Sequence, residues 1–386
     1  GDYIESILEA TEIIKSVNIP LFQRDNFLSL INELSNSNYI ENEDAFTFPY
    51  DWRLDILKTA SDIEFDSIIS LKEKIDQIKT QTGAEKVNLV AHSMGGLLVK
   101  KYLKDYGGNS VDKFIDLGTP HRGAPKSFVT LMYGETDIAI LNKETLKSIS
   151  QNMPSIYQLL PSQKYFDNVD SNYYVFDGVN NSQRLNFSQT KEYMASQGRN
   201  STLVNRADAF HQEIDDLDPA DYGVETYNIV GCGTPTIGKF YLLEGGSHSV
   251  YNIKMINGDG TVPLKSAEAM TALKTYYVKG AQHAVMPSTS GVKELVASIL
   301  TGDDFNISSY SNLATNSNDC QIPNGKIVSM HSPIELHVYD SSGNHVGPDA
   351  NGDIENEIAG VVYEVIDGNK FAFLPAGTTY NVKGSA

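Results

Sequence analysis

Short apolar runs separated by amphipathic stretches dominate the first 300 residues. Four runs end in small residues or turn formers and a fifth ends just before Gly280; they are Ala45–Tyr50, Lys86–Ala91, Lys113–Leu117, Thr226–Val230 and Thr275–Val278. Between runs the apolar residues take helical spacing, as in Ile63–Ile78. Strands that alternate with amphipathic helices are typical of a mostly parallel sheet with helices on both faces. The pattern predicts an α/β fold.

This alternation stops twice along the chain. Residues from about 122 to 222 hold irregular helical pieces rich in Asn and Ser, and an insertion of that length predicts a cap. Residues 304–318 have the composition of a linker. Beyond them lie four short β-type segments, with a hairpin signal at Asp367-Gly368-Asn369. We therefore predict a core domain over residues 1–303 and a small β-rich, sandwich-like domain over residues 319–386.

The first 40 residues are predicted to be helical, including Phe22–Leu34, which leads directly into the strand at Ala45. On this interpretation the core domain lacks its first core strand. The same residues contain Glu5, Glu9 and Glu12 and no basic n-region, so we expect no signal peptide in the sequence as given.

Charge and cysteine content narrow the function classes. The formal net charge of −19 excludes nucleic acid as a main partner, because such a field repels phosphates. The sequence contains no run of eighteen or more apolar residues, so we expect no transmembrane segment. Cys232 and Cys320 are interpreted as free buried thiols in preference to a disulfide. The run Asp349–Glu355 fits a polar turn better than a calcium loop, and we expect no metal and no cofactor.

One strand leads directly into a serine. Val87–Ala91 is followed by His92, Ser93 and Met94, and a helix is predicted from Met94 to about Tyr106. A strained strand-to-helix turn that lifts a serine above a sheet is the nucleophile elbow, here with Ala91 where glycine is usual. The alternative is a serine that merely caps a helix.

A base and an acid follow this serine in the order that such an enzyme requires. Asp259 lies between two glycines, and His283 follows the last predicted strand of the sheet. We expect His283 to take the proton of Ser93, Asp259 to orient the imidazole and the Met94 amide to hold the oxyanion. Asp116, on the strand after the elbow, is the alternative acid.

Six segments resemble the lecithin:cholesterol acyltransferase family, which includes lysosomal phospholipase A2 and phospholipid:diacylglycerol acyltransferases. They run in family order over roughly residues 20–300, and together they are far more specific than any one alone. The segments are Phe48–Arg53, Ala91–Gly96, Leu117–Gly123, Met153–Pro161, Gly258–Pro263 and His283.

The resemblance implies an α/β-hydrolase core, a cap after Gly-Thr-Pro, a Ser93, Asp259 and His283 triad, and acyl-ester chemistry on lipids. Family members carry an oxyanion loop with a Pro-Gly pair upstream, and the sequence is expected to begin after it. Candidate substrate-binding residues are Trp52, His92, Leu131 and Met132, with core packing as the alternative for Trp52.

The sequence thus predicts a serine esterase or lipase whose partner is an acyl ester or lipid. The cap is the expected contact with a lipid surface. The β-rich tail, which looks like an accessory domain of extracellular proteins, favours an extracellular or cell-surface location. Two alternatives stay open: an acyltransferase that uses an alcohol acceptor, and a non-catalytic surface protein with a degenerate hydrolase domain.

Overall fold

A computed structural model describes residues 12–19, 22–60, 69–135, 143–168, 175–177, 183–242 and 250–385 of the chain. Its strands as far as the cap are β1 (Ser16–Ile19), β2 (Phe22–Asp25), β3 (Val87–His92), β4 (Val111–Leu117), β5 (Val175–Asp177) and β6 (Gln183–Leu185). Strands β7 (Glu225–Cys232), β8 (Thr234–Leu242), β9 (Val250–Gly258), β10 (Lys274–Lys279) and β11 (Leu313–Ala314) follow. The C-terminal strands are β12 (Gly325–Met330), β13 (Glu335–Tyr339), β14 (His345–Pro348), β15 (Ile354–Asn356), β16 (Val362–Ile366), β17 (Asn369–Pro375) and β18 (Asn381–Ser385).

The α-helices of the described residues lie between β2 and β11. Those before the cap are α1 (Leu28–Asn36), α2 (Ile56–Ala60), α3 (Leu71–Thr82) and α4 (Met94–Tyr106). Those of the predicted cap are α5 (Lys126–Tyr133), α6 (Lys143–Ser150), α7 (Pro154–Gln158), α8 (Gln163–Asn168), α9 (Phe187–Ser196) and α10 (Ser201–Ile214). The last two are α11 (Leu264–Ala267) and α12 (Val292–Thr301).

The central sheet has the order β11-β10-β7-β4-β3. Strands β3, β4, β7 and β10 are parallel, and β11 adds an antiparallel edge. Four of the five predicted strands are therefore confirmed. β11 falls inside residues 304–318, so part of the predicted linker contributes to this sheet. Within the described residues β3 pairs only with β4, and the missing first core strand stays a prediction.

Helices cover both faces of the central sheet. One face packs against α2, α3, α4 and α10, and the other packs against α1 and α12. The apolar stripe of α12 (Val292, Leu295, Val296 and Ile299) is buried, which stabilises the fold by roughly 1.5–3 kcal/mol per fully buried side chain. The predicted α/β class with a mostly parallel sheet is confirmed.

The helix predicted over Ile63–Ile78 begins at Leu71 in the structure, and residues 61–68 lie outside the described part. Ser70 sets this start through a capping box: its hydroxyl accepts from the Glu73 amide, and the Glu73 carboxylate accepts from the Ser70 amide. Gly83, in the left-handed region, ends the helix. Residues 71–82 therefore form a helix that begins at this cap, and most of the predicted part before it lies outside the described residues.

A second sheet, of order β6-β5-β8-β9, belongs to the cap. The hairpin of β8 and β9 lies outside the predicted range of about 122–222, yet it pairs with β5 and shares one apolar core with the cap helices. This hairpin leaves the central sheet at the end of β7 and returns at Gly258. The hairpin of β8 and β9 thus connects the cap to the core directly beside Asp259.

The C-terminal region forms two antiparallel sheets, of orders β12-β17-β16 and β15-β14-β13-β18. Side chains of both sheets, among them Leu336, Val338 and Leu374, share one apolar core. The predicted β-rich, sandwich-like architecture is therefore confirmed. Asp367 and Gly368 both take positive φ values (51° and 76°), as the predicted tight hairpin between β16 and β17 requires. The domain limits at residues 303 and 319 stay a prediction.

This C-terminal region packs on the cap. Ile366, Phe371 and Phe373 are buried in the apolar core of the cap, and the Asn369 side chain donates to the Val250 carbonyl oxygen at 3.0 Å. Lys126 of α5 pairs with Glu364 of β16 at 3.1 Å, with both side chains largely buried. The two regions therefore form a continuous packed structure at this contact.

Two predictions for the N-terminal region are wrong. Phe22–Leu34 is not one helix: β1 and β2 form an antiparallel hairpin, and α1 begins only at Leu28. Ala45–Tyr50 is not a strand, since Ala45 alone makes an isolated bridge, to Glu41. Pro49 lacks the amide that a strand ladder needs. The stacked rings of Phe48 and Tyr50 pack instead against the core of the α4 face.

The preference for free thiols is also wrong, because Cys232 and Cys320 form a disulfide. Their Cα atoms are 5.7 Å apart although 88 positions separate them in the chain. The end of β7 and the segment after β11 meet here, and the Asn257 side chain bridges them: its amide donates to the Cys320 carbonyl oxygen, and its Oδ1 accepts from the Gly233 amide. Only tertiary structure brings these segments together.

No helix of the described residues is both long enough and apolar enough to cross a membrane.

Candidate active site

Ser93 lies on a strained turn between β3 and α4. Its backbone has φ +56° and ψ −127°, a region that residues with a side chain rarely adopt. Backbone bonds hold the turn: the Ser93 amide donates to the Leu117 carbonyl oxygen at 2.9 Å, and the Gly96 amide donates to the Ser93 carbonyl oxygen at 3.0 Å. This geometry is that of the predicted elbow, and it excludes a simple helix cap because the Ser93 side chain makes no capping bond.

The close approach in this elbow is at Gly96 rather than at Gly95. A Cβ at Gly95 would meet the Ala91 Cβ at 3.5 Å, an ordinary contact. A Cβ at Gly96 would instead clash with Thr119 Oγ1 and Asp116 Oδ1, both fully buried. Because Gly96 has no side chain, the segment at the end of β4 that carries Asp116 and Thr119 packs directly against the start of α4.

We expect Gly96→Ala to lower the free energy of unfolding by about 2–3 kcal/mol, because the buried Thr119 and Asp116 must move. Gly95→Ala is the matched control. It adds the same methyl one residue earlier and should be neutral or stabilising, by up to about 1 kcal/mol from helix propensity. Denaturant unfolding of both variants measures the difference, and equal midpoints would contradict the assignment of the close contact to Gly96.

Asp259 lies in a tight loop that follows β9. Its Oδ1 accepts from the amides of Val262 at 2.7 Å and Thr261 at 3.0 Å, and its side chain is almost fully buried. Gly260, at φ +90°, makes this turn possible. The loop fixes the carboxylate in one orientation, with Oδ2 directed at His283.

His283 joins the serine and the acid. Its Nδ1 lies 2.7 Å from Asp259 Oδ2, and its Nε2 lies 2.8 Å from Ser93 Oγ. The His283 amide also donates to the Asp259 carbonyl oxygen at 2.9 Å, so the backbone supports the same pairing. With Nδ1–H donated to the carboxylate, Nε2 is left as the acceptor of the Ser93 hydroxyl proton. Three side chains from three distant segments thus form one hydrogen-bonded chain.

His92 contacts His283 but is not itself part of this hydrogen-bonded chain. Its Nε2 donates to the His283 carbonyl oxygen at 2.9 Å, and its ring lies 4.8 Å from the His283 ring, between centroids. Burial, together with the nearby His283, lowers the pKa of His92 to about 3. A neutral, partly buried imidazole that supports His283 through the backbone fits a structural role rather than the predicted contact with substrate.

His92 should make the fold sensitive to acid. Since its pKa is near 3 when folded and near 6.5 when unfolded, the unfolded chain binds the extra proton below pH 6.5. The stability it contributes is therefore complete above pH 6.5 and is lost as the pH falls toward 3. We expect the wild type to lose about 2 kcal/mol more than His92→Gln between pH 7 and pH 5. Denaturant unfolding at both pH values measures this, and parallel losses would contradict it.

A cleft of about 140 Å³ opens beside Ser93. Residues of both the cap and the core line it, and most of the surface that they expose to the cleft is apolar. Those that sequence reasoning missed are Pro120, Ala124, Lys126, Ser127, Thr130, Ile156, Leu159, Thr261 and Val262. Lys126, the cation in this lining, is the residue paired with Glu364 of the C-terminal region. Pro120, Ile156, Leu159, Thr261 and Val262 lie within segments that carry the family resemblance, but the pattern singled out none of them as a site residue. No local pattern marked Ala124, Lys126, Ser127 and Thr130.

The other predicted site residues lie away from this cleft. Leu131 and Met132 are buried in the apolar core of the cap, since they lie on the inner face of α5 whereas Ser127 and Thr130 face the cleft. Trp52 is 42% exposed and is not in the cleft lining. Asp116, the alternative acid, contacts Thr119 and His121 instead of His283.

The chain matches one family model and is similar to several known proteins. The family model described as lecithin:cholesterol acyltransferase matches residues 5–272. A phospholipase A(1) of Arabidopsis thaliana is 25% identical over 43% of this chain and 37% of its own. A lysosomal phospholipase A and acyltransferase of Canis lupus familiaris is 24% identical over 70% of this chain and 64% of its own. The chain thus spans 37–64% of the length of these curated relatives. A solved structure, the Tle4-Tli4 complex, has a TM-score of 0.48 at 14% identity and covers 67% of this chain and 70% of its own.

Proposed function

Because this chain belongs to the lecithin:cholesterol acyltransferase family, we propose that it is a serine enzyme that cleaves or transfers the acyl groups of lipid esters. The observation that carries the proposal is the hydrogen-bonded chain from Ser93 Oγ through His283 to Asp259, at 2.8 and 2.7 Å. It lies at the head of an apolar cleft, as an acyl chain requires.

Catalysis proceeds in two steps through an acyl-enzyme. Ser93 Oγ attacks the ester carbonyl carbon while His283 Nε2 takes the hydroxyl proton, and Asp259 stabilises the imidazolium. The tetrahedral intermediate collapses, the C–O bond to the alcohol breaks, and His283 returns the proton to the leaving oxygen. Water or a second alcohol then attacks the acyl-serine, with His283 again serving as base and then as acid.

The amide of Met94 is the proposed oxyanion donor. Met94 begins α4, so its N–H has no acceptor within the helix and carries the positive end of the helix dipole. It directly follows the nucleophile, where the developing negative charge on the carbonyl oxygen arises.

Hydrolysis and transfer differ only in the second nucleophile. The surface of the cleft is mainly apolar and residues of the cap contribute to it, so it should hold little water, which favours an alcohol acceptor when one is present. The name of the mammalian relative carries both activities. We therefore keep acyl transfer as the second candidate function.

Vesicles of phosphatidylcholine test the proposal directly. The diester lipid should release fatty acid and lysophospholipid, whereas the matched diether lipid, which has no ester carbonyl, should release nothing. Addition of a long-chain alcohol separates the two candidates, because only acyl transfer forms a new ester. If neither fatty acid nor a new ester forms from the diester lipid, the proposed activity is wrong.

Two further proposals concern where the enzyme acts. The disulfide supports an extracellular or cell-surface location, since disulfides persist in oxidising compartments. The cap is the proposed contact with the lipid surface, and a net charge of −19 should make that surface zwitterionic rather than anionic. At low salt, turnover on vesicles should fall as anionic lipid is added, and an unchanged or increased rate would contradict this.

A further inference from the structure

Beneath the elbow lies a carboxyl group that the proposed mechanism does not use. Asp116 near the end of β4 is fully buried, together with Thr119 and His121. Thr119 Oγ1 lies 2.7 Å from the Ser93 carbonyl oxygen and 2.5 Å from Asp116 Oδ1. The carboxyl group therefore reaches the backbone of the nucleophile through one threonine hydroxyl.

The number of protons in this cluster fixes the direction of its hydrogen bonds. A carbonyl oxygen only accepts, and a threonine hydroxyl has a single proton to donate. If Thr119 donates to Ser93, the short contact to Asp116 needs a proton from the carboxyl group. With an ionised carboxylate, the one threonine proton would be shared between two acceptors or would leave one contact without a proton. A proton on Asp116 gives each of the two short contacts a full hydrogen bond.

His121 completes the cluster on the other carboxyl oxygen. Its Nε2 lies 2.9 Å from Asp116 Oδ2 and donates to it. Burial lowers the pKa of His121, which keeps the ring neutral, and its Nδ1 is buried without a hydrogen-bond partner. A bare Nδ1 lone pair in this position fits a neutral ring better than an unpartnered N–H of an imidazolium. His121 is therefore a neutral donor, not a counter-ion to a carboxylate.

The remaining charged groups around the cluster within the described residues are Lys100, Arg122, Asp215 and Asp216. Lys100 is fully buried, and its Nζ lies 3.4 Å from the Asp215 carbonyl oxygen; burial lowers its pKa to about 8. Asp215 itself accepts from Ser162 and His211. None of these groups donates a hydrogen bond to Asp116.

We propose, on the basis of the catalytic role assigned above to Ser93, that Asp116 is a positioning residue that carries a proton on Oδ1. Asp116 donates to Thr119, and Thr119 donates to the Ser93 carbonyl oxygen. This two-step relay holds the serine backbone in its left-handed conformation. Gly96 is the residue that leaves room for the relay, because any Cβ there would overlap both Oδ1 and Thr119 Oγ1.

Infrared spectroscopy of the resting enzyme at pH 8 tests the proton without any assay. Exposed carboxyls are ionised at this pH, so the carbonyl stretch of a protonated carboxyl group reports a buried acid. We expect this band in the wild type and its loss in Asp116→Asn, while Asp215→Asn, the matched change of a neighbouring buried acid, should keep it. A wild type without the band, or a band that persists in Asp116→Asn, overturns the proposal.

Kinetics test the relay itself. Thr119→Ser keeps the hydroxyl and should retain kcat/KM within about threefold, whereas Thr119→Val should lower kcat roughly 10- to 100-fold with little change in KM. Asp116→Asn should behave like Thr119→Ser, because its amide N–H can donate to Thr119. A loss in Asp116→Asn as large as in Thr119→Val would mean that a charge is needed and would overturn the proposal.

Two readouts keep the tests independent of folding and of the proposed function. If Asp116→Asn does not fold, Thr119→Val should shift the carboxyl band, because it removes the acceptor of that proton; an unshifted band contradicts the relay. If Ser93 proved not to be the nucleophile, the activity assays would fail while the infrared band would still report the proton on Asp116.

Discussion

Replacing Ser93 with alanine should lower kcat/KM for ester cleavage by on the order of 10⁴-fold or more. The variant keeps His283 and Asp259 in place but removes the hydroxyl oxygen that lies 2.8 Å from His283 Nε2. Since alanine also adopts the left-handed turn poorly, unfolding should be measured beside activity. An organophosphonate probe should label the wild type and fail to label Ser93→Ala.

Ser35→Ala provides the matched control for this change. Ser35 lies on α1, and its hydroxyl donates only to the carbonyl of its own helix, at Ile31. It should keep both the labelling and the rate. If Ser93→Ala and the wild type label equally, another residue is the nucleophile. If neither labels and neither turns over ester, the alternative of a non-catalytic surface protein gains support.

Replacing Asp259 with asparagine should lower kcat by on the order of 10⁴-fold while leaving the fold intact. The asparagine can keep the bonds from Thr261 and Val262 through its oxygen. Its amide then faces His283 Nδ1 as a donor, so the ring must present Nδ1 as acceptor and Nε2–H toward Ser93. In that tautomer His283 cannot take the serine proton.

The control here is Asp216→Asn, which makes the same isosteric change at an exposed carboxylate that pairs with Lys164. It should leave kcat unchanged. A loss in Asp259→Asn of less than tenfold would mean that Asp259 is not the orienting acid. Unchanged labelling of Ser93 by the probe in that variant would lead to the same conclusion.

The elements that the sequence predicted well are those defined by local pattern. The run Val87–Ala91 predicted β3, the strand that leads into the elbow, and the register of β3 with β4 places His92 opposite Leu117. Asp259 and His283 were found because glycines and strand ends mark the loops that carry them. The structure brings these two side chains together with Ser93.

The features that could not be predicted from the sequence depend on contacts between distant segments. The disulfide joins the end of β7 to the segment after β11, and no spacing rule pairs those two cysteines. Leu131 and Met132 looked like cleft residues, but their helix turns its other face, with Ser127 and Thr130, toward the cleft. The hairpin of β1 and β2 is short, and pairing along its whole length outweighs the helical pattern that predicted otherwise.

The disulfide closes a ring of chain that contains Asp259 and His283 but not Ser93. A protease that cuts once between residues 232 and 320 therefore leaves both pieces covalently attached, with acid and base on the same molecule. A cut between Ser93 and Cys232 releases the nucleophile from its partners as soon as the packing loosens. Nicked protein should thus run as one species on a non-reducing gel in the first case and as two in the second. The bridge makes the half of the chain that bears the acid and base tolerant of cleavage, and leaves the half that bears the nucleophile dependent on an intact backbone.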